Sequence, residues 1–165
     1  MPAEPALIER VEQPYVGITR VVTMETMPEV ADRLPEVFGW LAARGMAPAG
    51  SPFFKYNRID MATDLEVEVG VPVDAAQSGD DVVAAGVLPA GRYATVTHIG
   101  HPDNLMRATG DLLEWGNQQG LEWDSSDTPD GEVWRCRLEI YHTDPAEEPD
   151  MNKWETDLAF KITDR

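Results

Sequence analysis

From Trp134 to His142 apolar and polar side chains alternate. Trp134, Cys136, Leu138 and Ile140 fall on one side, and Arg135, Arg137, Glu139 and Tyr141 on the other. A period of two is the mark of a β-strand. The apolar side is expected to pack under helices. The other side carries two arginines and a glutamate, so it is either a solvated face or the floor of a ligand site. The same period recurs in Asp64–Val73, where Leu65, Val67, Val69 and Val71 oppose Glu66 and Glu68. It recurs again around Val16, Ile18 and Val22, in Arg92–Ile99 and in Trp154–Ile162. Pro52–Arg58 and Asp64–Val73 read as a hairpin, with Pro72 marking an end or an edge. Val82–Leu88 reads as a further short strand before the Pro89-Ala-Gly91 turn.

Two stretches change to helical spacing. In Thr26–Arg44, Val30, Leu34, Val37, Phe38 and Leu41 recur every three or four residues. Thr26-Met-Pro-Glu29 has the form of a capping box, with Pro28 where a missing N–H costs nothing. Pro35 should kink this helix or split it. Gly45 ends it. The second helix follows Gly100-His-Pro-Asp103, carries Leu105, Ala108, Leu112 and Trp115 on one stripe, and stops at Gly120. Asp124–Glu132 and the acidic Thr143–Asn152 read as loops.

Strand, helix and hairpin thus occur twice in the same order. Trp40 precedes Gly45 as Trp115 precedes Gly120, and Tyr15 and Tyr93 both sit near strand starts. Tyr56 and Tyr141 lie on the first hairpin strands, with acidic residues on the second strands. The expectation is an α+β fold made from duplicated β-α-β-β units, residues 6–74 and 82–164, within one domain over 1–165. Neither half has much core alone; sharing one antiparallel sheet, with both helices on one face, would supply it. The other face would then hold a ligand groove along the seam between the halves.

Charge narrows the partners. Lys and Arg number 13 against 30 Asp and Glu, a formal charge of −17. Such a surface repels phosphate backbones, which argues against direct nucleic-acid binding. It suits a cationic ligand, a basic protein partner, or plain solubility. The 165 residues hold no apolar run near the ~20 that a membrane span needs. The Met-Pro-Ala-Glu-Pro start lacks the form of a signal peptide. Cys136 is the single cysteine, which excludes an internal disulfide and a Cys-cluster zinc site and fits a cytoplasmic setting.

Little else carries chemistry. His98, His101 and His142 have no clustered metal-type neighbours, so no metal is expected. Asp144–Asp150 lacks the spacing and central glycine of a calcium loop. Ser51, Ser78, Ser125 and Ser126 sit in turns, and no nucleophile triad is apparent. There is no glycine-rich phosphate loop and no sign of a cofactor. Glu139 remains. If partly buried among aromatics, its pKa rises, and it becomes either the counter-charge of a cation or a base toward water.

Three stretches resemble the GyrI-like small-molecule-binding domain, which also forms the effector-binding part of some multidrug-responsive transcription regulators. They are Gly91-Arg-Tyr-Ala-Thr-Val-Thr-His-Ile-Gly100 with the following Leu112-Leu-Glu-Trp115 helix, Leu138-Glu-Ile-Tyr141 with Thr143-Asp-Pro145, and the closing Trp154-Glu-Thr-Asp-Leu158. The resemblance implies an acidic residue at the groove base, Glu139, with Tyr141, Trp115 and Trp154 as walls and Tyr56 and Tyr93 as further candidates. It implies flat, apolar or cationic ligands. It also implies two alternatives: hydrolysis of strained electrophiles with Glu139 as base, and an acidic interaction protein of the gyrase-inhibitor type. Ala159-Phe-Lys-Ile162 departs from the Ile-Pro-type run usual in the last strand. No helix-turn-helix segment flanks the elements, so no DNA reader of its own is expected.

Overall fold

The computed structural model describes residues 4–163. The ends of the expected 1–165 domain, including the Met-Pro-Ala start and the limit of the second repeat at 164, lie outside the described residues. Strands β1 (Ala6–Arg10) and β2 (Gln13–Val22) come first. Helices α1 (Pro28–Ala31) and α2 (Leu34–Ala43) follow, then β3 (Phe53–Ile59), β4 (Leu65–Pro72), β5 (Ala84–Leu88) and β6 (Gly91–Ile99). Helix α3 (Leu105–Gln118) precedes β7 (Ser125–Thr128), β8 (Gly131–Trp134), β9 (Arg137–Tyr141) and β10 (Glu155–Lys161). All pairings are antiparallel, in the order β1-β6-β10-β9-β3-β4-β2-β5, with β8 beside β3 and β7 beside β8. The α+β class with a shared antiparallel sheet is therefore as expected.

The two chain halves meet where β3 runs against β9, pairing Phe53 with Ile140, Phe54 with Glu139 and Lys55 with Leu138. The order outward from this seam is the same on both sides: first hairpin strand, second hairpin strand, strand before the helix. Each outermost strand comes from the other half, β1 on β6 and β5 on β2. The strand expected around Val16, Ile18 and Val22 is β2; β1 precedes it as a separate strand that pairs across the molecule.

One local expectation holds and two are corrected. Pro35 does split the first helix: it lies in the opening turn of α2, where its missing N–H leaves no gap. The capping box at Thr26 does not form. Its hydroxyl oxygen accepts from the Thr23 backbone N–H at 2.7 Å, and α1 starts after Met27 with no side-chain cap. Asp124–Glu132, read as a loop, contains β7 and the start of β8, whose polar side chains gave no apolar alternation to detect.

The largest correction concerns Trp134–His142. The strand is interrupted at Arg135–Cys136, between β8 and β9, and the alternation changes parity there. Trp134 packs with Leu105 and Leu112 of α3, together with Leu158 and Phe160. Cys136, Leu138 and Ile140 face the opposite side and join Tyr15, Phe53, Leu88, Tyr93 and Ala159 in a cluster to which no helix contributes. That cluster is covered by the curl of the sheet. Close approach there depends on glycine: a Cβ on Gly70 would sit 2.7 Å from the Phe53 ring, which itself meets Tyr15 edge-on at 5.2 Å. Arg137, Glu139 and Tyr141 consequently point to the helix-bearing face. The cleft that these three residues line lies between the two helical blocks, whereas a groove was expected on the opposite face.

Candidate functional site

The cleft has a volume of about 520 Å³. Its floor is Phe54 and Tyr56 of β3 with Arg137, Glu139 and Tyr141 of β9. Period two places these side chains together, since Phe54 pairs with Glu139 across the seam. One wall is Met24 and Met27 at the entrance to α1, with Ile59, Met61 and Leu65. The other is Pro102, Asp103, Leu105, Met106 and Thr109 at the start of α3. Phe54 and Tyr141 meet edge-on at 5.2 Å, leaving an apolar shelf beside the carboxylate.

Glu139 lies at the bottom. Both tyrosines donate to the same oxygen, Tyr141 at 2.5 Å and Tyr56 at 2.9 Å from Oε1. Among the described residues Oε2 receives no hydrogen bond, and it is not sealed from the cleft. Burial raises the Glu139 pKa, while the two hydroxyls and the nearby Arg137 charge pull the other way. The two phenols are held well above their ordinary values by burial and by the adjacent carboxylate, so they stay protonated donors.

Arg137 does not neutralise Glu139. Its guanidinium pairs with Glu132 Oε1 at 3.6 Å and lies 4.6 Å from the Phe160 ring centre and 5.0 Å from that of Trp134. Glu132 is itself held by the Trp134 indole N–H. Burial lowers the Arg137 pKa, opposed chiefly by Glu132.

Of the residues singled out from sequence, Glu139, Tyr141 and Tyr56 come together. Tyr93, Trp115 and Trp154 do not line the cleft. Tyr93 lies in the helix-free cluster and donates its hydroxyl to the Pro89 carbonyl at 2.7 Å. Trp115 packs against the α3 side of the core. The Trp154 indole is tied to the Glu148 carbonyl at 2.7 Å, which turns it toward the acidic loop. Phe54 and the four methionines were missed, and Arg137, though placed on the Glu139 side of its strand, was given no role. Phe54 stands two residues from Tyr56 on the same strand face, so strand period alone could have found it. The methionines lie on loops and helix ends, where no period applies.

Away from the cleft, Ser51 Oγ and His142 Nδ1 are 2.9 Å apart, and His142 Nε2 is 2.8 Å from Asp157. Thr97 donates to the other Asp157 oxygen at 2.6 Å. This chain pins the turn before β3 to the β9–β10 edge. No group of three or more metal-type side chains occurs among the described residues. No helix among them is long and apolar enough to cross a membrane.

A curled antiparallel sheet carrying two helical blocks is the α+β architecture shared with GyrI-like domains. More narrowly, the chain belongs to the GyrI-like family: the model of the GyrI-like small molecule binding domain matches residues 3–163. A comparison with curated protein sequences finds no match. Among solved structures, the EcmrR C-terminal domain shares the fold at a TM-score of 0.76 with 19% identity, each chain covered fully. The chain spans 59% of EcmrR as seen in its DNA complex, at a TM-score of 0.79. SAV2435 bound to tetraphenylphosphonium aligns at 0.68 and 10% identity, covering 97% of this chain and 94% of that one. A hydrolase from Listeria innocua aligns at 0.66 and 13% identity, with 97% and 92% covered.

Proposed function

We propose that this protein binds aromatic, lipophilic cations in the cleft over Glu139. The observation that carries the reading is a carboxylate at the base of an apolar cleft, with one oxygen saturated by two tyrosines and the other without a donor. A buried charge without a partner is costly. A cation seated over Oε2 supplies that partner, and the rings of Tyr141, Tyr56 and Phe54 add cation–π attraction of roughly 0.5–2 kcal/mol each. Methionine walls suit a site that adapts to ligands of differing outline, because the thioether chain is flexible and polarizable. The SAV2435 complex shows that a lipophilic cation is held by a protein of this fold. The duplicated unit belongs to the same proposal, supported by a strand order that reads alike from either side of the seam.

Calorimetric titration with tetraphenylphosphonium and a set of planar dye cations tests it. Saturable binding that weakens about tenfold or more in Glu139→Gln is expected, since the variant loses the charge–charge attraction between the carboxylate and the cation, a few kcal/mol at most near a protein surface. Folded protein that binds none of them rejects the proposal.

The vacant Oε2 also favours a second reading. A carboxylate of raised pKa can take a proton from water and direct the hydroxide onto an electrophile. Mass spectrometry after incubation with strained electrophiles would then show hydrolysed product with wild type and none above background with Glu139→Gln. Equal product from both proteins removes Glu139 as the base.

A further inference from the structure

We infer that the cleft recognises ligands carrying a carboxylate as well as a cationic centre, with Arg137 as the group that reads the carboxylate. This rests on the ligand-binding reading above and narrows its ligand class. Three observations lead to it. First, Arg137 lines the cleft beside Glu139, two residues away on the same face of β9. Second, its guanidinium makes no hydrogen bond among the described residues; its one ion-pair partner is Glu132 at 3.6 Å, beyond hydrogen-bond distance. A guanidinium has five N–H donors, so this buried fork is almost wholly unused. Third, none of its nitrogens is closed off from open space, since the one fully buried side-chain atom without a partner among the described residues is Arg33 Nε.

A buried charge two residues from an opposite charge would normally pair with it. Here the aromatic packing of Phe160 and Trp134 and the Glu132 contact hold Arg137 away from Glu139. The cleft therefore presents two unused ends: an acceptor oxygen at Glu139 and a donor fork at Arg137. A simple lipophilic cation satisfies the first and is repelled by the second. A flat molecule with a cationic group at one end and a carboxylate at the other satisfies both. The planar fork also favours planar acceptors, which it contacts with two parallel N–H groups.

The test uses matched dyes: rhodamine 110, whose free carboxylate makes it zwitterionic, and its methyl ester rhodamine 123, a plain cation. Binding is measured by fluorescence anisotropy at 0.15 M salt, where surface charge is screened beyond about 8 Å. Wild type should bind the acid at least as tightly as the ester. In Arg137→Met the acid should lose about tenfold relative to the ester, the factor expected for a charge-assisted hydrogen bond. Tetraphenylphosphonium, which has no acceptor, should bind this variant more tightly than wild type, an effect opposite in sign to simple damage. Should Arg137→Met fail to fold, the wild-type comparison decides alone, and a wild type that prefers the ester overturns the inference. An unchanged acid-to-ester ratio in a folded Arg137→Met overturns it too. In both cases cation binding itself stands. Absence of binding by both dyes and by tetraphenylphosphonium removes the underlying reading as well.

Discussion

Glu139→Gln should make the protein more stable at neutral pH while weakening cation binding. The amide oxygen of Gln keeps both tyrosine hydrogen bonds, so the geometry at the cleft floor persists. What changes is charge. Desolvation is the leading influence on Glu139, ahead of the hydroxyls and Arg137. The effective penalty for burying a carboxylate is several kcal/mol. Against it, two hydrogen bonds fall from charged to neutral strength, a loss of about 1 kcal/mol each. The balance is a gain of about 1–2 kcal/mol, or roughly 3–6 °C in melting temperature for a chain of this size. The pH dependence fixes the cause. A carboxyl whose folded pKa is raised contributes stability that is complete below its unfolded value and is lost as pH rises through the folded one. Wild type is thus penalised on the alkaline side and the variant is not. Paired melts followed by circular dichroism between pH 5 and pH 8 should show the variant's advantage growing with pH. A variant that melts lower than wild type at pH 8, or an advantage that does not change with pH, would refute the reasoning.

Tyr141→Phe removes a 2.5 Å hydrogen bond that favours the charged carboxylate, so the Glu139 pKa climbs further. Cation affinity should fall severalfold at pH 6 and less at pH 8, as read by calorimetry. In α3, a Cβ on Gly116 would lie 2.3 Å from the Trp123 ring. Gly116→Ala should therefore cost about 1–3 kcal/mol through overpacking. Gly110 in the same helix has nothing within 4 Å of that position, so Gly110→Ala should instead stabilise by up to about 1 kcal/mol. Thermal melts of the two variants should move in opposite directions.

The strands that alternate over many residues were legible because burial on one face writes itself into the sequence. Leu65–Pro72 shows the pattern most clearly, although its second face is covered as well, with Glu68 buried and held by the Tyr15 hydroxyl. The Glu139 and Tyr141 pair was legible for the same reason, as polar residues on an otherwise apolar strand. What failed were features that no local pattern encodes. The parity change at Arg135–Cys136 moved the groove to the helix-bearing face, and it is visible only once Cys136 is seen packed against Tyr93 and Leu138. The crossing of β1 to β6 is a long-range pairing, chosen by the whole sheet. Trp154 and Tyr93 were placed at the site by the family resemblance, yet each has a polar tip that finds a backbone carbonyl elsewhere. Ser51 and His142, far apart in sequence, gave no sign of their contact.

A crystal structure of the protein grown with tetraphenylphosphonium addresses the central claim most directly. The phosphonium should appear in the cleft against Phe54, Tyr141 and Met106, on the Oε2 side of Glu139, with both tyrosine hydroxyls still on Oε1. Density for the cation at another surface of the molecule, with the cleft over Glu139 free of it at saturating concentration, would contradict the account.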